Sequence, residues 1–201
     1  MNAETLPAPP GYRLAHRFQL SRRWTLLWIN VTAVALFVIT LGAAFSGLLL
    51  YARLGAPLAR TDLPAFLPAW AYILLLIGTL ILHEALHGLA MLACGARPIF
   101  GAQLTRLVLY TTSQAFFSRR AYLFVTLAPL FGVTLLGLPA MLLLPSGLAI
   151  WVAIMVAMNA ASSLGDLWMA AVIASFPPEA RFRDEVDGMS IFLPEGLPPG
   201  L

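Results

Sequence analysis

The chain has 201 residues, of which 60% are hydrophobic and 10% charged, and its mean hydropathy is +0.86. A soluble domain of this size carries about a quarter of its residues as charges, so a fold with a full polar shell is excluded and a lipid bilayer is the expected surround. The net charge of +3 comes from 12 arginines and no lysine; no basic face with interleaved aromatics stands outside the apolar stretches, which excludes a nucleic-acid binder.

Met1–Leu20 is rich in proline and is expected to be irregular. Four apolar stretches follow, Trp24–Tyr51, Phe66–Gly95, Ala121–Leu144 and Gly147–Phe176. Each exceeds the roughly 20 residues that a helix needs to cross a bilayer core, and backbone in lipid must satisfy its own hydrogen bonds. The first stretch is too long for the core of a cleaved signal peptide. Pro64 and Pro68 mark the entry to the second, and Pro177-Pro178 stops the fourth. The connection between the second and third contains Leu104–Thr112, rich in threonine, valine, leucine and tyrosine and bounded by Gly101 and Ser113. It reads equally as an ordinary loop or as one or two short strands, a hairpin at the membrane surface. A strand edge there could hold an extended substrate. Pro177–Leu201 is again expected to be irregular.

The expected fold is therefore all-α and integral to the membrane. Four transmembrane helices lie within residues 23–176, with a short β-hairpin between the second and third and tails at 1–22 and 177–201. In that topology Arg13, Arg17, Arg22, Arg23, Arg97, Arg106, Arg119, Arg120, Arg181 and Arg183 share one side, and Arg53 and Arg60 the other. The positive-inside rule then puts both termini in the cytoplasm.

Ionisable groups within lipid are costly and therefore rare. Away from their ends, the four stretches hold only His83, Glu84, His87 and Asp166, phenols and the thiol aside. Three of these form His83-Glu84-Ala85-Leu86-His87, the H-E-x-x-H pattern of zinc hydrolases. Residues four apart share a helix face, so two imidazoles can each offer a nitrogen to one ion at about 2.0–2.1 Å. Glu84 beside them can take a proton from a metal-bound water, whose pKa coordination lowers to about 7. A catalytic zinc takes three protein ligands. Asp166 is the only other acid inside a span, and its depth in the fourth stretch matches that of His83 in the second to about 3 Å. Asn159, Ser162, Ser163 and Asp166 form one helical stripe. The serines fit interhelical hydrogen bonding, whereas Asn159 could donate to an oxyanion on a substrate carbonyl. The single cysteine, Cys94, excludes an internal disulfide and reads as a small buried residue near a helix end.

These residues resemble a bacterial family of membrane zincin peptidases, a domain family of unknown function distantly related to the site-2 protease intramembrane metallopeptidases. The resemblance rests on His83-Glu84-x-x-His87-Gly88, Tyr110, Arg119-Arg120-Ala121-Tyr122, Ala128-Pro129, and Asn159 followed by Gly165-Asp166. It spans Leu75–Ala170. The order Gly165-Asp166-Leu167 departs from the Leu-Asp-Gly of site-2 proteases. The resemblance implies zinc (Zn2+) held by His83, His87 and Asp166, with Glu84 as catalytic base. It implies a membrane protein or peptide as substrate and the bacterial cytoplasmic membrane as location. The expected function is a membrane-embedded zinc metallopeptidase that cleaves membrane-associated proteins near the cytoplasmic face. The alternative is a non-catalytic metal-binding membrane protein, a carrier or scaffold. Iron or cobalt in place of zinc stays open.

Overall fold

The computed structural model describes residues 8–19, 23–54, 68–103, 108–186 and 188–197. Arg22, Arg60, Pro64, Leu104–Leu107 and Arg106 fall outside them. The described elements are β1 (Tyr12–Gln19), α1 (Arg23–Arg53), α2 (Ala69–Ala93), β2 (Ile99–Gln103), β3 (Val108–Thr112), β4 (Phe116–Ser118), α3 (Arg119–Leu143), α4 (Ser146–Ser162), α5 (Leu164–Ser175), β5 (Arg181–Glu185) and β6 (Gly188–Pro194).

The fold is mixed α/β, which corrects the all-α expectation. Five helices accompany two antiparallel sheets, one ordered β1-β6-β5-β4 and the other the hairpin β2-β3. The terminal segments expected to be irregular supply three of the four strands of the larger sheet. Their sequences alternate: Phe182 and Asp184 share one face of β5, and Met189, Ile191 and Leu193 share one face of β6. That face, with Phe117 of β4, packs on Tyr122 and Val125 of α3, Met169 and Ile173 of α5, and Ala90 and Met91 of α2. The main core therefore lies where the sheet meets the helix ends. Phe182, Met189 and Ile191 are wholly buried there, each worth about 1.5–3 kcal/mol against exposure.

The four-helix expectation is corrected as well. α1, α2 and α3 are long and apolar enough to cross a membrane, but the fourth stretch is two helices meeting at a 44° bend. Counting that pair as one span gives four spans; counting single helices gives three. At the bend, both the backbone N–H and the hydroxyl of Ser163 donate to the Asn159 carbonyl at 2.9 Å. Such back-bonding bends helices. Ser162 likewise donates to its own helix, at Met158 O, so the two serines do not join helices as expected.

α4 approaches its neighbours through small residues. Ala149, Ala153 and Ala157 are buried on it, and a side chain at Gly137 of α3 would strike Val156, the small-residue packing seen between helices in lipid. α2 ends in a Schellman motif. Gly95, at φ 77°, donates to Leu92 O, and Ala96 N–H returns to Met91 O. Cys94, expected to be buried, is the exposed C-cap of that helix. β2 then folds back along α2, and Gly88 makes room for the Phe100 ring, which a Cβ would strike.

Candidate metal centre

His83 and His87 lie one turn apart on α2, and both are buried. Their Nδ1 atoms are held by α3 and α4. His87 Nδ1 donates to Val125 O at 2.9 Å. That carbonyl is open because Pro129, four residues on, has no N–H to return to it. His83 Nδ1 donates to Asn159 Oδ1 at 3.1 Å, and Asn159 Nδ2 donates to Pro129 O at 3.0 Å, which fixes which way the amide points. With protons on both Nδ1 atoms, the neutral rings present their Nε2 lone pairs.

Both lone pairs face Asp166, in the first turn of α5 just past the bend. His83 Nε2 stands 3.1 Å from Asp166 Oδ2, and His87 Nε2 stands 3.5 Å from Oδ1. One ligand atom from each of the three residues lies within 4.8 Å of the others. Lone pairs and a carboxylate at such distances repel unless a proton on Nε2 or a metal cation lies between them. Asp166 Oδ2 is buried and without a hydrogen-bond partner among the described residues, an orphan that a bound cation would satisfy. Tetrahedral ligands at about 2.0–2.1 Å from zinc stand about 3.3 Å apart, and the two observed separations bracket that value. The donor set of two imidazoles and a carboxylate therefore fits zinc.

Glu84 adjoins the same space. Its backbone carbonyl accepts from Thr111 Oγ1 of β3 at 3.0 Å. A cavity of about 480 Å³ opens over the cluster, lined by His83, Glu84, His87 and Asp166 together with Tyr122 and Asp184. A larger apolar groove, about 560 Å³, runs between α2 and α3 past Leu86 and Phe131 and offers no ligand atoms. The remaining histidine, His16, is exposed on β1.

The family model described as Putative zincin peptidase matches residues 76–181, from within α2 to the first residue of β5. The chain belongs to this family. No curated protein and no solved structure matches it. The family description implies a metallopeptidase with zinc, and His83, His87 and Asp166 form a group that could hold such an ion.

Sequence reasoning had singled out His83, Glu84, His87, Asp166 and Asn159, and the fold brings all five together. It missed the pair formed by Tyr122 and Asp184. The buried Tyr122 hydroxyl donates to Asp184 Oδ1 at 2.6 Å, and its ring stacks between Phe117 and Phe182. Burial pushes the Asp184 carboxyl up to about 7, against the pull of the Tyr122 hydrogen bond. No linear signal marks this acid, which sits in an unremarkable terminal strand. Pro129 did carry a signal, since a proline inside a span leaves the carbonyl four residues earlier open for a partner.

Proposed function

We propose that this zincin is embedded in the membrane and hydrolyses peptide bonds of membrane-associated proteins near the cytoplasmic face. One observation carries the reading. Two imidazoles with pinned Nδ1 atoms and a buried, unpartnered carboxylate oxygen converge on one point, and Glu84 lines the same cavity. When bound there, zinc supplies a Lewis acid that polarises a carbonyl and lowers the pKa of water. Glu84 takes a proton from the attacking water and passes it to the leaving amine. Asn159 has both ends of its amide engaged, and its part in this scheme is to hold His83.

Several features support the location. α1, α2, α3 and the bent α4–α5 pair suit a bilayer, and Val34, Val38, Ile77, Leu135 and Leu136 are exposed on the long helices. Soluble monomers rarely expose such surfaces. Arg13, Arg17, Arg181 and Arg183 lie on the four-stranded sheet, and Arg119 and Arg120 follow it directly. By the positive-inside rule, this clustering supports a cytoplasmic placement of that end. His87 lies six residues from the α2 terminus at Ala93, about 9 Å along the axis. β3 pairs with β2 on one side only among the described strands, and an extended substrate would lie along its other edge.

The test combines metal content and turnover. The detergent-purified chain should hold about one zinc, as read by elemental mass spectrometry, and cleave a denatured model protein. Glu84→Gln should keep the zinc and lose cleavage; Asp166→Ala should weaken or lose the zinc. No bound metal after incubation with zinc and removal of the excess would overturn the proposal. So would full cleavage by Glu84→Gln, which fits a carrier in which that residue has no work as a base.

A further inference from the structure

α1 leans mainly on α4 and makes no extensive contact with α2. It nonetheless gives one residue, Asn30, to the lining of the cavity over the metal ligands. The depth is right. Asn30 lies seven residues, about 10 Å, from the start of α1 at Arg23. His87 and His83 lie six and ten residues, about 9 and 15 Å, from the end of α2 at Ala93.

Asn30 differs from several polar side chains of the helices. Thr32 donates to Ile29 O, Thr79 to Leu75 O, Ser162 to Met158 O and Ser163 to Asn159 O. These hydroxyls satisfy themselves on their own helix. Asn159 is engaged at both ends. The Asn30 carboxamide makes no hydrogen bond among the described residues, although α1 is long and apolar enough to cross a membrane. Asn30 is exposed and lines the cavity, so its partner is water or a group of a molecule that enters and displaces it. A carboxamide offers one acceptor and a donor pair, the complement of a peptide unit's N–H and C=O. β3 supplies Tyr110 and Thr111 to one wall of the same space, and α1 supplies Asn30 to another.

We propose that Asn30 is a substrate-positioning residue, gripping the backbone of an extended peptide as it crosses the metal cavity. This rests on the peptidase reading. It implies that α1 is one wall of the substrate path, in addition to its packing on α4.

The test uses zinc-loaded protein carrying Glu84→Gln, which binds without turnover. The probes are a peptide hydroxamate and acetohydroxamate, which share the zinc-binding group and differ in having a peptide backbone. Asn30→Leu should weaken the peptide hydroxamate about tenfold and leave acetohydroxamate and zinc content unchanged. Asn30→Gln should recover part of the loss. With Glu84 restored, Asn30→Leu should raise KM for a cleaved peptide with kcat little changed, the sign of lost uniform binding. Equal loss of both probes, or no loss of either, overturns the assignment. If the peptide hydroxamate has no advantage over acetohydroxamate even with Asn30 present, the peptidase reading fails and this inference falls with it. An advantage that ignores Asn30 overturns this inference alone.

Discussion

Replacing Asn159 with alanine should cost the chain most of its zinc affinity without touching a ligand. The side chain is wholly buried. It accepts from His83 Nδ1 at 3.1 Å and donates to Pro129 O at 3.0 Å. Removing it leaves the Nδ1–H of a buried imidazole without a partner, which costs about 1–3 kcal/mol. The ring recovers that energy by turning or changing tautomer, and either move takes the Nε2 lone pair off the site. Loss of such outer partners typically lowers metal affinity about 10–100-fold, or about 1.4–2.7 kcal/mol. The two scales agree. Competition with a chromophoric chelator would measure the change, and the stoichiometry should stay at one zinc. Asn159→Asp supplies the control, because a carboxylate still accepts from Nδ1–H in the manner of a carboxylate–histidine–zinc triad. It should recover more than half of the lost binding energy. Wild-type affinity in Asn159→Ala, or Asn159→Asp as weak as the alanine variant, would refute the reasoning.

Four further outcomes follow from the same geometry. Pro129→Ala should stabilise the metal-free fold, because an interior proline costs a helix about 3 kcal/mol. It should also lower zinc affinity severalfold, because a restored N–H competes with His87 for Val125 O; thermal melts and zinc competition that move in the same direction would contradict this. Gly88→Val should destabilise the chain by about 1–3 kcal/mol through collision with the Phe100 ring, and adding Phe100→Ala should restore part of the melting temperature. The Asp184 carboxyl sits at about 7 when folded because it is buried, against about 3.9 when unfolded. Its contribution to stability is thus fully present below about pH 4 and is lost as pH rises through about 7, so melting temperature between pH 5 and pH 8 should fall more steeply in the wild type than in Asp184→Asn, and parallel curves would sink the assignment. Zinc at about 100 times its Kd should raise the melting temperature by roughly 5–10 °C, and His83→Ala should abolish the increase.

The candidate ligands were legible in the sequence for an energetic reason. Three polar side chains within five positions of an apolar helix need a role, and four-residue spacing puts both histidines on one face. Asp166 was legible because, Glu84 aside, no other acid interrupts the apolar stretches away from their ends. The larger sheet was not. Its strands lie in segments whose proline and glycine content suggests irregular chain, and the alternation in Arg181-Phe182-Arg183-Asp184 and Met189-Ser190-Ile191-Phe192-Leu193 covers only a few residues in each strand. Its partners are far apart in the chain: β1 pairs with β6 from the opposite end, and such pairing leaves no local mark. The bend at Ser163 also escaped the reading, because an unbroken apolar run looks like one helix until the serines turn back on their own carbonyls.

Both histidines are held through the same stretch of α3. His87 is bound to Val125 O directly, and His83 reaches Pro129 O through Asn159. One helical turn around a proline therefore sets the tautomers of two histidines carried by another helix. That arrangement works only if α3 cannot slide against α2. The larger sheet provides the restraint: Phe182, Ile191 and Met189 share one core with Val125, Tyr122 and Met91, and Asp184 ties Tyr122 three residues before Val125. The hairpin adds a second tie, with Thr111 bound to the carbonyl of Glu84 and Thr112 to that of Asp184. The terminal strands are thus part of what keeps the candidate ligands aimed, and disturbing them should weaken zinc binding from outside the helices that carry His83, His87 and Asp166.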